Sequence, residues 1–173
     1  MTPSITETQI FTALREFILS VVADCEVIRL PNNRTAMPKG AFVAMSPGSN
    51  AALSTNVTTY DGENNQRDIL RASQFSAQID CYGAGSSEMA TAISMLLRDQ
   101  YACDKFAESG LDMQPLYAGE PHQMPLVDGE AKYEERWTFE AVLQINPKLT
   151  VSQDYADSLE IKLVNVNLAY PPT

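Results

Sequence analysis

Two stretches in which hydrophobic and polar positions alternate organise the chain. In residues 75–81 the odd positions are apolar and the even ones polar, and the same alternation runs through residues 133–145. A period of two residues is typical of a β-strand with one buried face. We therefore predict two strands that pair antiparallel, with one apolar sheet face available for helices to cover.

Helical spacing of apolar residues follows a possible capping box, formed by Thr6 and Gln9, near the start of the chain. The first helix is predicted from Ile10, Phe11, Leu14, Phe17, Ile18, Val21 and Val22. The second is predicted after Gly83-Ala84-Gly85, with Ser86 or Ser87 as its cap, from Met89, Ala90, Ile93, Leu96 and Leu97, up to Arg98. Both helices would pack on the apolar face of the sheet.

The remaining segments predict further short strands joined by loops. Strands are expected at 26–30, 41–46 and 53–60, a loop at 31–40, a break at 47–50, a turn at 61–65 and an edge strand at 113–117. Residues 106–132 are otherwise irregular, which favours a contact surface, a pore lining or disorder. The predicted fold is one α+β domain over residues 1–173, with a mixed, mainly antiparallel sheet, two helices on one face and a flexible tail at 170–173.

The C-terminal segment changes the phase of its alternation. Leu159, Ile161 and Leu163 share one phase, whereas Val164, Val166 and Leu168 take the other. A shift of one residue moves every following side chain to the opposite face, so the segment either contains a bulge or is buried on both faces. We favour the second interpretation, in which the fold covers one face and a neighbouring subunit covers the other.

Charge narrows the range of partners. The formal net charge is −10; residues 1–71 carry seven acidic and six basic side chains, and residues 72–173 carry fifteen acidic and six basic ones. Such a surface repels phosphate, so tight binding of duplex DNA is not expected.

No apolar run is long enough to cross a bilayer. Cys25, Cys81 and Cys103 are odd in number and far apart, which is typical of reduced core cysteines.

Few residues offer catalytic or cofactor chemistry. His122 is the only histidine, which argues against a multi-histidine metal site, and Gly83-Ala84-Gly85-Ser86-Ser87 lacks the lysine of a phosphate-binding loop. The adjacent Glu134 and Glu135 would point to opposite faces of a strand. We therefore expect no enzyme, no cofactor and no metal. A small-ligand-binding or hydrolytic domain, with the loop near His122 as a lid, is the alternative from another class of function.

Several segments in their order along the chain resemble the neck and tail terminator proteins of tailed bacteriophages. These are LPNNRTAMP at 30–38 before the strand at 41–46, residues 74–83 with the following helix, and residues 135–147. The resemblance implies a small α+β subunit that assembles into a ring, usually of six. Such a ring caps the tail tube and joins it to the head connector, and genomic DNA passes through it without specific binding.

The resemblance also implies where function resides, because this family works through interfaces. We expect subunit or partner contacts at Arg34, Met37 and Lys39 in the loop and at Val164, Val166 and Leu168 near the C-terminus. The lumen or partner loop would present Asp112, Glu120, Asp128 and Glu130. A negative lumen keeps DNA mobile, because it offers no cations to replace the counterions of DNA.

The expected partners are copies of the chain, the tail tube protein and the head connector or neck proteins, without a membrane. The expected location is the neck or tail of a virion, assembled in the host cytoplasm. A tail-tube or head–tail connector subunit is the alternative within the same class of function.

Overall fold

The computed structural model describes residues 1–30, 38–124, 126–127, 133–154 and 160–161. Within these ranges the helices are α1 (Glu7–Val21), α2 (Ser86–Leu97) and α3 (Gln100–Glu108). The strands are β1 (Glu26–Arg29), β2 (Phe42–Ala52), β3 (Val57–Asp61), β4 (Gln66–Leu70), β5 (Ser73–Tyr82), β6 (Met113–Ala118), β7 (His122–Gln123), β8 (Leu126–Val127), β9 (Tyr133–Glu134), β10 (Arg136–Ile145) and β11 (Lys148–Ser152).

The main sheet is built around the predicted pair of strands. In the described part of the chain its order is β1-β2-β5-β10-β6, and β7 also pairs with β10. β5 and β10 are antiparallel from Arg136↔Tyr82 to Ile145↔Ser73, which confirms their predicted pairing. β1 runs parallel to β2. The sheet is therefore mixed and mainly antiparallel, and the α+β prediction is confirmed.

Helices cover the sheet face on which the apolar residues of β5 and β10 lie. Phe75, Ala77, Ile79 and Cys81 are at most 4% exposed and share one core with the buried faces of all three described helices. α3, which lies beside α1 with the rings of Phe17 and Phe106 stacked at 5.7 Å, was not predicted. Its sequence, QYACDKFAE, buries only Ala102 and Phe106, and so few apolar positions give a weak helical pattern.

The predicted N-terminal cap is observed at the first helix but not at the second. The capping box of Thr6 and Gln9 is confirmed at α1. At α2 the cap is Gly85, in the left-handed conformation with φ 80°, and no side chain caps the helix. The prediction that Ser86 or Ser87 would cap α2 is therefore wrong. Ser86 is already inside the helix, and its hydroxyl is buried without a hydrogen-bond partner among the described residues.

A bulge keeps β2 in the sheet where a break was predicted. β2 continues through 47–50 to Ala52, with a shift in register between Pro47 and Asn50. A Cβ on Gly48 would lie 2.4 Å from Ser76 Oγ, so any larger residue there would have to displace this hydroxyl. The buried Ser76 Oγ also accepts a hydrogen bond from Ser49 N–H at 2.9 Å. The strand predicted at 53–60 begins later, at Val57.

A second sheet extends beyond the main one and was also not predicted. Its order is β11-β4-β3, with both pairs antiparallel. β3 and β4 form a hairpin over the predicted turn, which ends at Asn65 with φ 49°. The predicted strand at 133–145 is interrupted at Glu135, and β9 pairs with β8 in a separate ladder. β6 is the predicted edge strand.

The close contact at Gly48 generates a stability prediction. Gly48→Ala is expected to lower the free energy of unfolding by about 1–3 kcal/mol, because the new methyl group displaces Ser76 Oγ and breaks its bond to Ser49. Gly62→Ala is the matched control, because a Cβ there meets nothing within 4 Å. Chemical denaturation of both variants measures the difference. Equal costs at the two glycines would contradict the packing described at the bulge.

Candidate functional site

The second sheet forms an arm (β3, β4 and β11) that prolongs the two central strands. β4 leads into β5 and β10 leads into β11, so the arm continues the central ladder past its end. At the junction Arg71 N–H donates to the carbonyl of Pro147 at 3.3 Å, and Leu53 N–H donates to that of Ala72 at 2.9 Å. Among the described elements, no helix packs on the arm beyond isolated contacts. The arm is therefore a sheet without a helical layer.

Strand register divides the side chains of the arm between two faces. We call one the apolar arm face, composed of the cross-strand rows Thr58–Ile69–Leu149 and Tyr60–Arg67–Val151. We call the other the polar arm face, composed of Val57–Leu70–Lys148, Thr59–Asp68–Thr150 and Asp61–Gln66–Ser152. Residues directly opposite each other in neighbouring strands point to the same side of a sheet, which is why the rows define the faces.

The polar arm face is held by bonds within the arm. Asp68 accepts hydrogen bonds from Thr150 Oγ1 at 2.5 Å and from Lys148 Nζ at 3.0 Å. The hydrogen bond from Thr150, followed by that from Lys148, lowers the pKa of the Asp68 carboxyl below its ordinary value. These bonds join β4 to β11 and provide the Asp68 carboxylate with hydrogen-bond partners.

The apolar arm face has a different chemistry. Ile69, Leu149 and Val151 are only half-buried, and Tyr60 is 62% exposed. Arg67 Nε is buried and has no hydrogen-bond acceptor among the described residues. A cavity of about 350 Å³ at the base of this face lies between Ile69, Leu149, Arg71 and the N-terminal segment. This face combines apolar surface with positive charge.

Four exposed apolar side chains lie on the arm and at its root, of which Val57 and Leu70 belong to the polar arm face and Tyr60 to the apolar arm face. Leu53, Val57, Tyr60 and Leu70 are 37–62% exposed. A small sheet gains stability in water by burying an apolar face, and clustered exposed apolar side chains usually mark a contact with another chain. The arm is therefore our candidate interface. The sequence does contain a signal for this hairpin, because residues 57–61 and 66–70 flank a turn. The apolar content of these residues was too low to distinguish them as an interface.

Most of the residues expected at interfaces lie outside the described part of the chain. This holds for Arg34, Met37, Val164, Val166, Leu168, Asp128 and Glu130. Lys39 is exposed just before β2.

Asp112 and Glu120, expected together at a lumen or partner loop, flank opposite ends of β6. They are separated by eight residues, or roughly 25 Å of strand. Asp112 accepts a hydrogen bond from Asn146 Nδ2 at 2.9 Å, and Glu120 pairs with Arg98 at 2.9 Å. The structure does not bring these two carboxylates together.

The sheet face away from the helices carries a cleft and a buried ion pair. The cleft, of about 270 Å³, is lined by Gln78, His122, Met124, Thr138 and Glu140 among others, and His122 is exposed at its rim.

Beside the cleft, Arg136 Nη2 donates to the buried carboxylate of Asp80 at 2.9 Å, and Gln78 Nε2 also donates to this carboxylate. Asp80 is thus satisfied by its neighbours on the sheet, which indicates a structural role for the pair.

The cysteines and helices offer no further chemistry in the described ranges. Burial raises the pKa of the Cys81 thiol to about 12, which keeps it protonated and unreactive. Cys25 and Cys103 are half-buried, and burial also raises the pKa of Cys25. Within the residues described, no cluster of His, Cys, Asp and Glu is arranged to hold a metal ion, and no helix has the length and apolar character needed to span a membrane.

These observations define a class of protein: a small α+β domain with a β-arm on which no described helix packs beyond isolated contacts. The family model of the phage neck terminator protein matches residues 8–168, and the chain belongs to this family. Its members are bacteriophage tail terminators, structural proteins of the virion neck. No curated protein sequence matches the chain.

Solved structures resemble the chain in fold. It is similar to the PVC sheath/tube terminator of an extracellular contractile injection system in the extended state, with a TM-score of 0.56 and 9% sequence identity. The match covers 98% of this chain and 66% of that terminator, so the chain spans just under two thirds of its length. A second structure matches at a TM-score of 0.39 and 10% identity, over 89% of this chain and 100% of the other, and supports no conclusion.

The hydrogen bonds to Asp68 generate a prediction about pH. Because its pKa is lowered in the folded state, the carboxylate stabilises the arm above its ordinary value of 3.8, and this contribution disappears as the pH falls through the lowered value. Asp68→Asn should therefore destabilise the protein at neutral pH and lose its effect at the acidic end. Denaturant unfolding from pH 7 to pH 2 measures the difference from wild type.

Glu63→Gln removes one negative charge from the same hairpin and controls for the change in net charge. If the two variants differ from wild type by the same amount at every pH, the bonds of Asp68 to Thr150 and Lys148 do not stabilise the arm.

Proposed function

We propose that this protein is the terminator subunit of a bacteriophage neck, in which copies of the chain form a closed ring, usually of six. The ring caps the tail tube and joins it to the head connector. The observation that carries the proposal is the family match over residues 8–168, which spans almost the whole chain. The fold likeness to a sheath/tube terminator supports it.

Self-association is supported by the arm. A closed ring of identical subunits needs two different patches on each copy, one of which contacts the other patch on the next copy. The arm supplies one candidate patch, since Val57, Tyr60 and Leu70 are exposed on it and no described helix packs on it beyond isolated contacts. The loop with Arg34 and Lys39, and the stripe of Val164, Val166 and Leu168, are the other patches that we propose.

DNA passage is supported by charge. The net charge of −10 disfavours adhesion of a phosphate backbone, so DNA can slide through a ring of such subunits. Asp112, Asp128 and Glu130 are the proposed carboxylates of the lumen or partner loop. Glu120 contributes less than the others, because its ion pair with Arg98 offsets its charge. In this proposal the protein acts through position and shape and carries out no catalysis.

The experiment that tests the proposal adds the purified protein to tail tubes that lack a terminator. Electron microscopy should show a six-fold ring at one end of the tube, and mass measurement should show defined oligomers in solution or on the tube. Rings stacked along the tube would instead support the tail-tube alternative, and a ring bound only to the head would support the connector alternative. A strict monomer under both conditions would overturn the proposal.

Two single-charge variants test whether the arm is a subunit contact. Thr58→Glu, at an exposed position on the apolar arm face, should weaken self-association by about tenfold or more, because a buried unpaired charge costs well over 1.4 kcal/mol. Met95→Glu is the matched control on α2, at a position 67% exposed. Sedimentation over a range of concentrations measures both. If Met95→Glu prevents assembly while Thr58→Glu has no effect, the contact lies on the helices and not on the apolar arm face.

A further inference from the structure

We infer that the outer edge of β2 at residues 50–52, together with the cavity beside it, is a strand-addition site for a short extended segment of another protein. The segment that fits this site carries an aliphatic side chain and, close to it, a carboxylate. The inference goes beyond the proposed function, because it does not require that copies of the chain form a ring.

The first argument is that β2 is longer than the strand beside it. β1 pairs with β2 only as far as Arg29↔Met45, and one further bond joins Leu30 N–H to the carbonyl of Met45. β2 itself continues to Ala52, and residues 47–52 are exposed. Among the described residues, no strand pairs with β2 on this side beyond Met45. The outer edge of its second half is therefore open.

The second argument is the direction of the backbone groups. Leu53 N–H donates to the carbonyl of Ala72, next to β5, at 2.9 Å. Because successive residues of a strand bond to opposite sides, Ala51 also faces β5, and the N–H and C=O groups of Asn50 and Ala52 face away from it. These four groups have no hydrogen-bond partner among the described residues. An added strand can bond to all of them, as extended peptides do at the open edges of sheets.

The third argument is a cavity of about 440 Å³ beside this edge, between β2, the start of α1 and the end of β10. Its volume lies within the range of ligand pockets, roughly 300–1,000 Å³. Asn50 lines the cavity and is paired with Phe75, so a residue added opposite Asn50 points to the same sheet face and enters the cavity. The floor of the cavity is apolar and only 2–6% exposed, and consists of Ile5, Ile10, Phe75 and Ile145.

The fourth argument is a cation that lines the same cavity. Arg71 is exposed, its Nε donates to Ser73 Oγ at 3.3 Å, and its guanidinium forms no ion pair with a described carboxylate. The carboxylate of Glu7, which also lines the cavity, is paired with Arg29. Since arginine binds carboxylates through parallel hydrogen bonds, the cavity matches an aliphatic side chain with an acidic one nearby.

These features define the occupant. The outward groups of Asn50 and Ala52 require an extended backbone, the floor of the cavity requires an aliphatic side chain, and Arg71 requires an acidic one. The segment is short, because Pro47 lacks an N–H and the bulge interrupts the edge before Asn50. We assign it to another protein and not to a second copy, because the patches proposed for contact between copies lie elsewhere on the chain.

A model peptide tests the assignment. The probe is a short peptide of threonines with one leucine and, two positions later, one glutamate, so that both side chains lie on the same face of the strand. At saturation it should slow amide exchange of Asn50 and Ala52 by about tenfold or more. Exchange at Ala51, whose amide already bonds to β5, should not change. Protection that does not alternate in this way would contradict strand addition.

Ala52→Pro blocks the edge. It removes one outward N–H and no bond to β5, so the fold should be retained, as it is for prolines on edge strands. Peptide binding should weaken by about tenfold or more, because one hydrogen bond is lost and the ring lies where the added strand would run. Ala52→Val is the matched control, because it keeps the N–H and suits a strand. Equal affinities of the two variants would overturn the inference.

Arg71→Gln tests the acidic part of the assignment. It should weaken binding of the glutamate peptide by about fivefold and leave binding of a glutamine peptide unchanged. If both peptides bind equally well to wild type and lose affinity equally on Arg71→Gln, the assigned carboxylate is wrong.

A tethered segment covers the case of weak binding. The same segment is fused ahead of Met1 through a flexible linker, which raises its effective concentration to about the millimolar range. Met1 is 90% exposed and Pro3 lines the cavity, so the linker starts near the edge. If neither the free nor the tethered segment protects residues 50 and 52, the inference is wrong. Self-association of wild type that Ala52→Pro abolishes would identify a second copy as the occupant and overturn the assignment to another protein.

Discussion

The antiparallel ladder of β5 and β10 continues into β4 and β11. Together these strands are longer than the layer of helices that covers the ladder. Residues 66–82, which form β4 and β5, extend over roughly 55 Å, whereas the 15 residues of α1 extend over roughly 22 Å. Helices therefore bury the apolar face of β5 and β10 but do not reach the arm. Because of this difference in length, no described helix covers the apolar arm face, and the proposed contact between copies is based on it.

The parts of the fold that could be predicted are those in which each residue has one clear environment. The apolar and polar residues of β5 alternate because its apolar face meets the helices, although the predicted exposure of the other face is wrong, since Ser76 and Asp80 are also buried. α1 has a full apolar stripe and a capping box. The bulge in β2 was missed because Pro47 and Gly48 are typical of a turn, whereas here Gly48 permits a close approach to Ser76. β4 and β11 were missed because their residues alternate between two partly exposed faces, which gives little contrast in hydrophobicity.

The candidate site could be predicted less well than the fold, for a physical reason. An interface between subunits resembles ordinary surface in composition, so its residues carry no catalytic or metal-binding signature. The family resemblance, confirmed by the match over residues 8–168, indicated that interfaces matter but not which residues form them. Only the register of β3, β4 and β11 places Ile69, Leu149 and Val151 on one face with Arg67.

The central claim is that the arm is completed by another copy of the chain, and hydrogen exchange tests it most directly. Amide exchange in β3, β4 and β11 is compared between the unassembled protein and the assembled ring, with β5 and β10 as the internal reference. The account predicts fast exchange in the arm before assembly and strong protection after it, with little change in β5 and β10. Equal protection of the arm in both states would contradict the claim, because the arm would then be stable without a partner.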